Sequence, residues 1–454
     1  MKKLHFIAIG GSAMHSLAIA LKNNGDEITG SDDAIFDPSK SNLEAAGICP
    51  IELGWFPEKI TSDLAAVILG MHAKADNPEL IKAKEMGLLI YSYPEFIYAF
   101  SKEKTRVVIA GSHGKTTITA MILHVLNYQD IAVDFMIGAS LPGFENSVYL
   151  SETNDFILLE GDEYLSSPID LRPKFHLYKP QIALISGIAW DHVNVFPTQE
   201  DYNKQFEIFI DSITPGGVLV YNDEDTTLAS LSTASPNTIR KEAYQTPDFV
   251  IEKGTTYLET DEGPLPLEIF GNHNLSNLAG AKWICQLMGV DEDDFYQAIS
   301  SFMGASKRLE KMVSGKTSHL YKDFAHAPSK VSATTNAVKN QFSEFKLIAC
   351  FELHTFSSLD KTFINKYQGS LSASDQAIVF YDPAALKIKN RPEISEQQIK
   401  HAFDDEQLLV FTDPQELEQY LHGLDYTESV LLMMSSGNYG GIDWGKLKNT
   451  LSDY

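Results

Sequence analysis

The 454-residue sequence predicts an α/β protein of three consecutive units, each a parallel sheet with crossover helices. Three observations predict it. Apolar runs of strand length recur along the whole chain, near-continuous rather than alternating, as strands covered on both faces require. Stretches of helical length separate them, the alternation that builds parallel sheets. Two charged or glycine-rich stretches, SKEKTR (101–106) and GASKRLEKMVSGK (304–316), interrupt the pattern, and each time it starts again. A chain this long also exceeds what one core usually sustains.

In the first unit LHFIAI (4–9) leads into a helix over about 13–24, followed by the strand-like runs EITG (27–30), AAVILG (65–70) and LLIYS (88–92). The second opens with RVVIAG (106–111) and continues through DFILLE (155–160), IALISG (182–187) and a helix at about 201–212. A Pro-Gly-Gly turn (215–217), short strands between about 249 and 270 and a helix after GNHN (271–274) complete it. The third runs through HLYKDF (319–324), FKLIACF (345–351), QAIVFY (376–381), QLLVF (407–411) and SVLLMMS (429–435). The expected domains are therefore 1–103, 104–310 and 311–454.

Composition narrows the function. With 44% hydrophobic and 21% charged residues the chain is expected to fold throughout. A net charge of -25 with no Lys/Arg cluster rejects a nucleic-acid partner. An acidic protein that binds phosphates must concentrate positive potential locally, through helix N-termini, a lysine and a metal ion. Cys49, Cys285 and Cys350 form no CxxC pair and leave one over in any pairing, which favours a reduced compartment. No stretch approaches about 20 apolar residues, and the opening MKKLHFIAIGG is broken by glycines, so a cytoplasmic protein without membrane insertion is expected. Nothing in the sequence sets the oligomeric state.

The strongest chemical signal is AGSHGKTT (110–117), between a strand-like and a helix-like run. In that setting Gly111, Ser112, His113 and Gly114 form a turn whose backbone N–H groups face phosphates. Lys115 reaches the outer ones, the Thr116 hydroxyl binds Mg2+, and Thr117 continues the helix start. Only two residues separate the glycines, where the common loop has four. A strand ending at Glu160, followed by Asp162 and Glu163, supplies carboxylates where parallel sheets bind ligands, and the next strand ends in Asp191 and His192. Glu160 and His192 beside the loop point to a metal site. AIGGSAM (8–14), with Asp32 and Asp33 about 20 residues on, is a second nucleotide-type turn, although Ala8 and Ala13 stand where its fingerprint has glycines. Alone, that turn would suggest a dinucleotide oxidoreductase, and the phosphate loop alone a nucleotide sensor.

In order, AIGGSAM, GSHGKTT, LLEGDEY, GNHNLSNLAGA, SKRLEKM and KDFAHAPSKV resemble the landmarks of the Mur ligase family, the ATP-dependent amide-forming enzymes of peptidoglycan synthesis. The resemblance spans nearly the whole chain. It implies a Rossmann-like N-terminal domain for a UDP-sugar, a central phosphate-loop ATPase domain with a parallel sheet, and a Rossmann-like C-terminal domain that brings the amine. By the same resemblance ATP and Mg2+ are the cofactors, and Thr116, Glu160 and His192 the metal ligands. His273, Asn274 and Asn277 match a segment near the adenine. Arg308, Asp323 and His326 match residues that close over ATP, making Lys115, Glu160, His192, Asp323 and His326 the candidate catalytic set. Gly10, Gly11, Ser12, Ala13, Met14, Ser31, Asp32 and Arg172 are the candidates for holding the UDP-sugar.

Two branches of the family accept UDP-N-acetylmuramate: one adds L-alanine, the other the recycled tripeptide L-alanyl-γ-D-glutamyl-meso-diaminopimelate. DEYLSSPIDLRPKF (162–175) is similar to the recycling branch's D-E-Y followed by D-x-R-x-K-F, and SSGNYGGI (435–442) points the same way. The chain departs from both branches in having Lys322 before Asp323 and Ala327 after His326.

Overall fold

The computed structural model describes every residue except 139, 140, 142, 143, 145, 168, 191–194, 305–308 and 389–391. The chain packs as two compact units: 1–246 with 276–299, and 247–275 with 300–454.

The first unit holds two parallel sheets. In the N-terminal one β1 (Lys3–Ile7), β2 (Glu27–Ser31), β3 (Ala66–Leu69) and β4 (Ile90–Ser92) lie in the order β2-β1-β3-β4. Leu4, Phe6 and Ile7 on β1 and Val67, Ile68 and Leu69 on β3 are almost fully covered, as an apolar run under helices on both faces must be. The helix Ser12–Asn23 follows β1 directly. The helix Tyr93–Phe100 starts on a capping box, with Ser92 and Glu95 each satisfying the other's backbone amide.

The larger sheet of this unit is built from β5 (Thr105–Ala110), β6 (Asp134–Met136), β7 (Val148–Tyr149), β8 (Phe156–Gly161), β11 (Ile182–Ile185), β12 (Val218–Asn222) and β13 (Arg240–Tyr244). Its order is β13-β12-β11-β5-β8-β6-β7, parallel except where β7 runs against β6. A two-stranded hairpin, β9 (Leu165–Ser167) and β10 (Asp170–Pro173), stands off the end of β8. Below it Phe175 stacks on Phe209 with ring centroids 4.7 Å apart, and Phe206 meets it edge-on at 5.4 Å. That aromatic cluster anchors the hairpin's return into the core.

In the second unit β17 (Glu310–Ser314), β18 (Ser318–Asp323), β19 (Lys346–Glu352), β20 (Gln376–Phe380), β21 (Leu409–Phe411) and β22 (Ser429–Met434) form a sheet in the order β17-β18-β22-β19-β20-β21, parallel except for β17. An antiparallel meander, β14 (Phe249–Glu252), β15 (Thr255–Thr260) and β16 (Gly263–Leu267), packs with it. Thr256 donates to Gln341 at 2.8 Å, Gln341 donates to the Gly254 carbonyl at 2.7 Å, and the Phe270 and Tyr321 rings meet edge-on. The sequence grouped these short strands with the stretch before them. Thr256 and Gln341 lie 85 residues apart, a pairing that no local period shows. Among the described residues no helix is long and apolar enough to cross a membrane.

Candidate active site

The turn after β5 is held open by its neighbours. The Ser112 amide donates to the Gly187 carbonyl at 2.9 Å, and the Ser186 hydroxyl donates to the His113 carbonyl. Gly111 sits at φ +128°, where a Cβ would lie 2.2 Å from Ser186 Oγ. Gly114 sits at φ +80°, where a Cβ would lie 2.3 Å from Asn277 Oδ1. Only glycine fits either place. The helix Lys115–Tyr128 begins on left-handed Gly114, so its first amides face outward without a side-chain cap. Thr117 is buried within that first turn.

Parallel pairing sets Ile109 beside Glu160 and Ala110 beside Gly161, which brings the end of β8 to the loop. Glu160 takes hydrogen bonds from the Thr116 hydroxyl and the Gly138 amide, while its Oε1 is buried without a hydrogen-bond partner among the described residues. Burial raises its pKa, against the pull of Lys115. A buried carboxylate oxygen left over beside a threonine hydroxyl suits a hard cation that takes oxygen ligands, so these residues fit Mg2+. Gly138 is close enough that a Cβ there would lie 2.7 Å from Glu160 Oε2. The expected third ligand, His192, lies outside the described residues, as does Arg308.

Lys115 donates to the Gly111 carbonyl and to Glu163 Oε2 at 2.7 Å. Glu163 is fully buried, and its Oε1 accepts from the Tyr202 hydroxyl at 3.0 Å. Burial works against the lysine's charge, yet Glu163, Asp162 and Glu160 outweigh it and hold the ammonium above its usual range. Glu163 is the residue that sequence reasoning left without a role. Its signal was a second carboxylate directly after Asp162, which equally describes a solvated turn. Asp162 itself pairs with Lys174 at the root of the hairpin.

The N-terminal turn is closed on itself. The Ala8 and Ile9 amides donate to the Ser31 carbonyl, and Gly10 N–H donates to Asp32 Oδ2 at 2.7 Å. Ala8 adopts φ +65°, a place that favours glycine. Asp32 is buried, and burial raises its pKa while the Gly10 and Ala34 amides oppose the rise. Gly11 precedes the helix, Ser12 is exposed, Ala13 packs against the core and Met14 is buried in it. Ser31 is fully buried, and its hydroxyl accepts from Lys59 at 3.1 Å. Arg172 on β10 is exposed and grips Asp170 with two N–H groups at 2.9 and 2.6 Å.

Asp323, His326, His273 and Asn274 belong to the second unit. Asp323 accepts from the Leu309 amide at 2.6 Å, the Ala325 amide at 2.7 Å and the Thr334 hydroxyl at 3.3 Å, which ties the end of β18 to the chain entering β17. His326 Nδ1 donates to the Phe324 carbonyl at 2.9 Å, and Tyr367 donates to the His326 carbonyl. Asn274 donates to the Phe270 carbonyl at 3.0 Å, and His273 lies beside Gly271. The helix Asn272–Leu287 starts in this unit and continues into the first, where Asn277 lies against Gly114 of the glycine turn. The structure thus gathers Gly111 to Thr117, Glu160 and Asn277 around one loop.

A glycine turn with outward amides, a lysine beside it and a buried carboxylate next to a threonine hydroxyl define an α/β enzyme that handles nucleotide phosphates. Residues 3–105 match the Mur ligase family catalytic domain and residues 109–285 the Mur ligase middle domain. A UDP-N-acetylmuramate–L-alanine ligase of Caldicellulosiruptor bescii is 32% identical over 404 residues, covering 86% of each chain. Two solved structures share the fold. They are a UDP-N-acetylmuramate–alanine ligase of Thermotoga maritima (TM-score 0.69, 19% identity, 100% of this chain and 99% of that one) and a murein peptide ligase of Psychrobacter arcticus (0.62, 21%, 100% and 99%). The chain belongs to the Mur ligase family: it is an ATP- and Mg2+-dependent amide-forming ligase of peptidoglycan synthesis.

Proposed function

We propose that this ligase joins the lactyl carboxylate of UDP-N-acetylmuramate to the α-amine of L-alanyl-γ-D-glutamyl-meso-diaminopimelate, a tripeptide recovered from peptidoglycan, in the cytoplasm. The observation that carries the choice of amine is the segment 162–175. It resembles the recycling branch and forms the hairpin root and β10, with Arg172 exposed on its Asp170 clamp. A second reading, ligation of L-alanine, is favoured by the identity to the Caldicellulosiruptor bescii enzyme.

In this reading residues 1–103 hold the UDP-sugar through Gly10 to Met14, Ser31, Asp32 and Arg172, residues 104–310 hold ATP, and residues 311–454 present the amine. The substrate carboxylate attacks the γ-phosphorus of ATP, ADP leaves, and the amine displaces phosphate from the resulting acyl phosphate. Lys115 and the amides of Gly111 to Thr117 carry the charge of the outer phosphates. Thr116, Glu160 and His192 would hold Mg2+, which neutralises phosphoryl charge when bound. Asn277, with His273 and Asn274, serves the base end of the nucleotide, and Arg308, Asp323 and His326 complete the catalytic set.

Phosphate release from ATP with UDP-N-acetylmuramate, measured with the tripeptide and with L-alanine, decides between the readings. Preference for the tripeptide supports the first. Preference for L-alanine transfers the assignment to the second.

A further inference from the structure

Lys115 is the cation an outer phosphate would seek, yet here it is paired with Glu163 inside the protein, at 2.7 Å and with the carboxylate fully buried. The pair solves an electrostatic problem of the loop. A lysine largely covered beside a turn of carbonyls and amides is costly without a counter-charge, and Glu163, braced by the Tyr202 hydroxyl, supplies one. The same carboxylate becomes a liability once phosphates arrive. Glu160, Asp162 and Glu163 would then surround the lysine together with the phosphate charge, and like charges at contact distance repel strongly where water is scarce.

Glu163 also sits at a structural junction. Its neighbour Asp162 pairs with Lys174 and accepts the Tyr164 amide, and the Phe175 amide donates to the Asp162 carbonyl at 3.2 Å. Residues 162–175 are thus fastened at their root next to the lysine's counter-ion.

We propose that Glu163 is a positioning residue, the resting counter-ion of Lys115, which outer phosphates must displace, so that nucleotide entry is coupled to the root of the Arg172 hairpin. The proposal rests on the ATP-dependent reading above but on neither identity of the amine. Exchange of partners sets a threshold: a nucleotide without outer phosphates leaves the pair intact, and one with them breaks it.

Calorimetric binding of a non-hydrolysable ATP analogue and of AMP to the full chain and to Glu163→Gln tests this. Removing the opposing charge should tighten the analogue by roughly tenfold and leave AMP unchanged. Equal or weaker binding of the analogue, or an equal gain for AMP, overturns the assignment, as would absence of binding to both proteins. A merely structural role for Glu163 would weaken both ligands. Should the variant not fold, a crystal structure of the unaltered chain with the analogue decides: Lys115 Nζ on a phosphate oxygen and away from Glu163 supports the exchange, and an intact pair refutes it. Loss of the UDP-sugar dependence of phosphate release would sink the proposed function instead, leaving the binding result to speak for Glu163.

Discussion

Two strand-turn-helix junctions in the first unit invite comparison, because both look like phosphate-binding turns and the chain uses them differently. At 110–117 glycines occupy the two positions with positive φ, and the nearest charges are a lysine and buried carboxylates. At 8–14 an alanine occupies the positive-φ position, and the Gly10 amide is already satisfied by Asp32 from the next strand. The first junction carries glycine at both strained positions and pairs its lysine with a buried carboxylate. The second satisfies its polar groups from within. A glycine-rich turn is therefore a poor guide to ligand chemistry until the partners of its amides are known.

The sharpest way to break that contrast is to remove the lysine. Lys115→Ala should lower kcat/KM by roughly 10^3-fold, about 4 kcal/mol of transition-state stabilisation, and should lower the thermal midpoint as well, because it leaves the buried Glu163 carboxylate without its counter-charge. Near-normal turnover would show that the loop is not the phosphate site. Glu160→Gln removes the carboxylate charge but keeps its shape. Turnover should fall by roughly 10^2-fold, with a higher Mg2+ requirement in titration. An unchanged Mg2+ dependence would take Glu160 out of the metal site.

Gly111→Ala should destabilise the fold by about 3 kcal/mol in denaturant unfolding, because its φ is open to glycine alone and the new methyl would meet Ser186 Oγ. Asp32→Asn should cost only about 1 kcal/mol, since an amide oxygen can still accept from Gly10, and should act mainly on the KM for the UDP-sugar. Equal effects on sugar and ATP would argue that Asp32 merely supports the fold.

The three-sheet plan was legible because fully covered parallel strands write themselves as apolar runs, as in β5, where Val107, Val108, Ile109 and Ala110 are all buried. The glycine turn at 110–117 was legible because its glycines, lysine and threonine are contiguous. What escaped was non-local. Glu163 reaches back 48 residues to Lys115 and forward to Tyr202, and nothing beside it in sequence separates a buried counter-ion from a solvated carboxylate. The pairing of Thr256 on β15 with Gln341 escaped for the same reason. His273, Asn274 and Asn277 read as one motif, yet they sit on a helix that passes from one compact unit to the other.

Ala8→Gly gives the smallest effect and the most pointed test of the comparison. Glycine would relieve the strain of a left-handed alanine, a gain of about 1–2 kcal/mol. Against that stand the lost burial of one methyl group, about 0.8 kcal/mol, and the greater freedom of glycine in the unfolded chain, about 0.5–1 kcal/mol. The opposing contributions nearly cancel, so the midpoint of denaturant unfolding should move by less than about 1 kcal/mol in either direction. The reciprocal change at Gly111 has no such compensation, since strain and steric overlap act together there. A large loss on Ala8→Gly would mean that the alanine methyl, wedged against Gly70, fixes the turn, and that the N-terminal junction is as exacting as the phosphate loop.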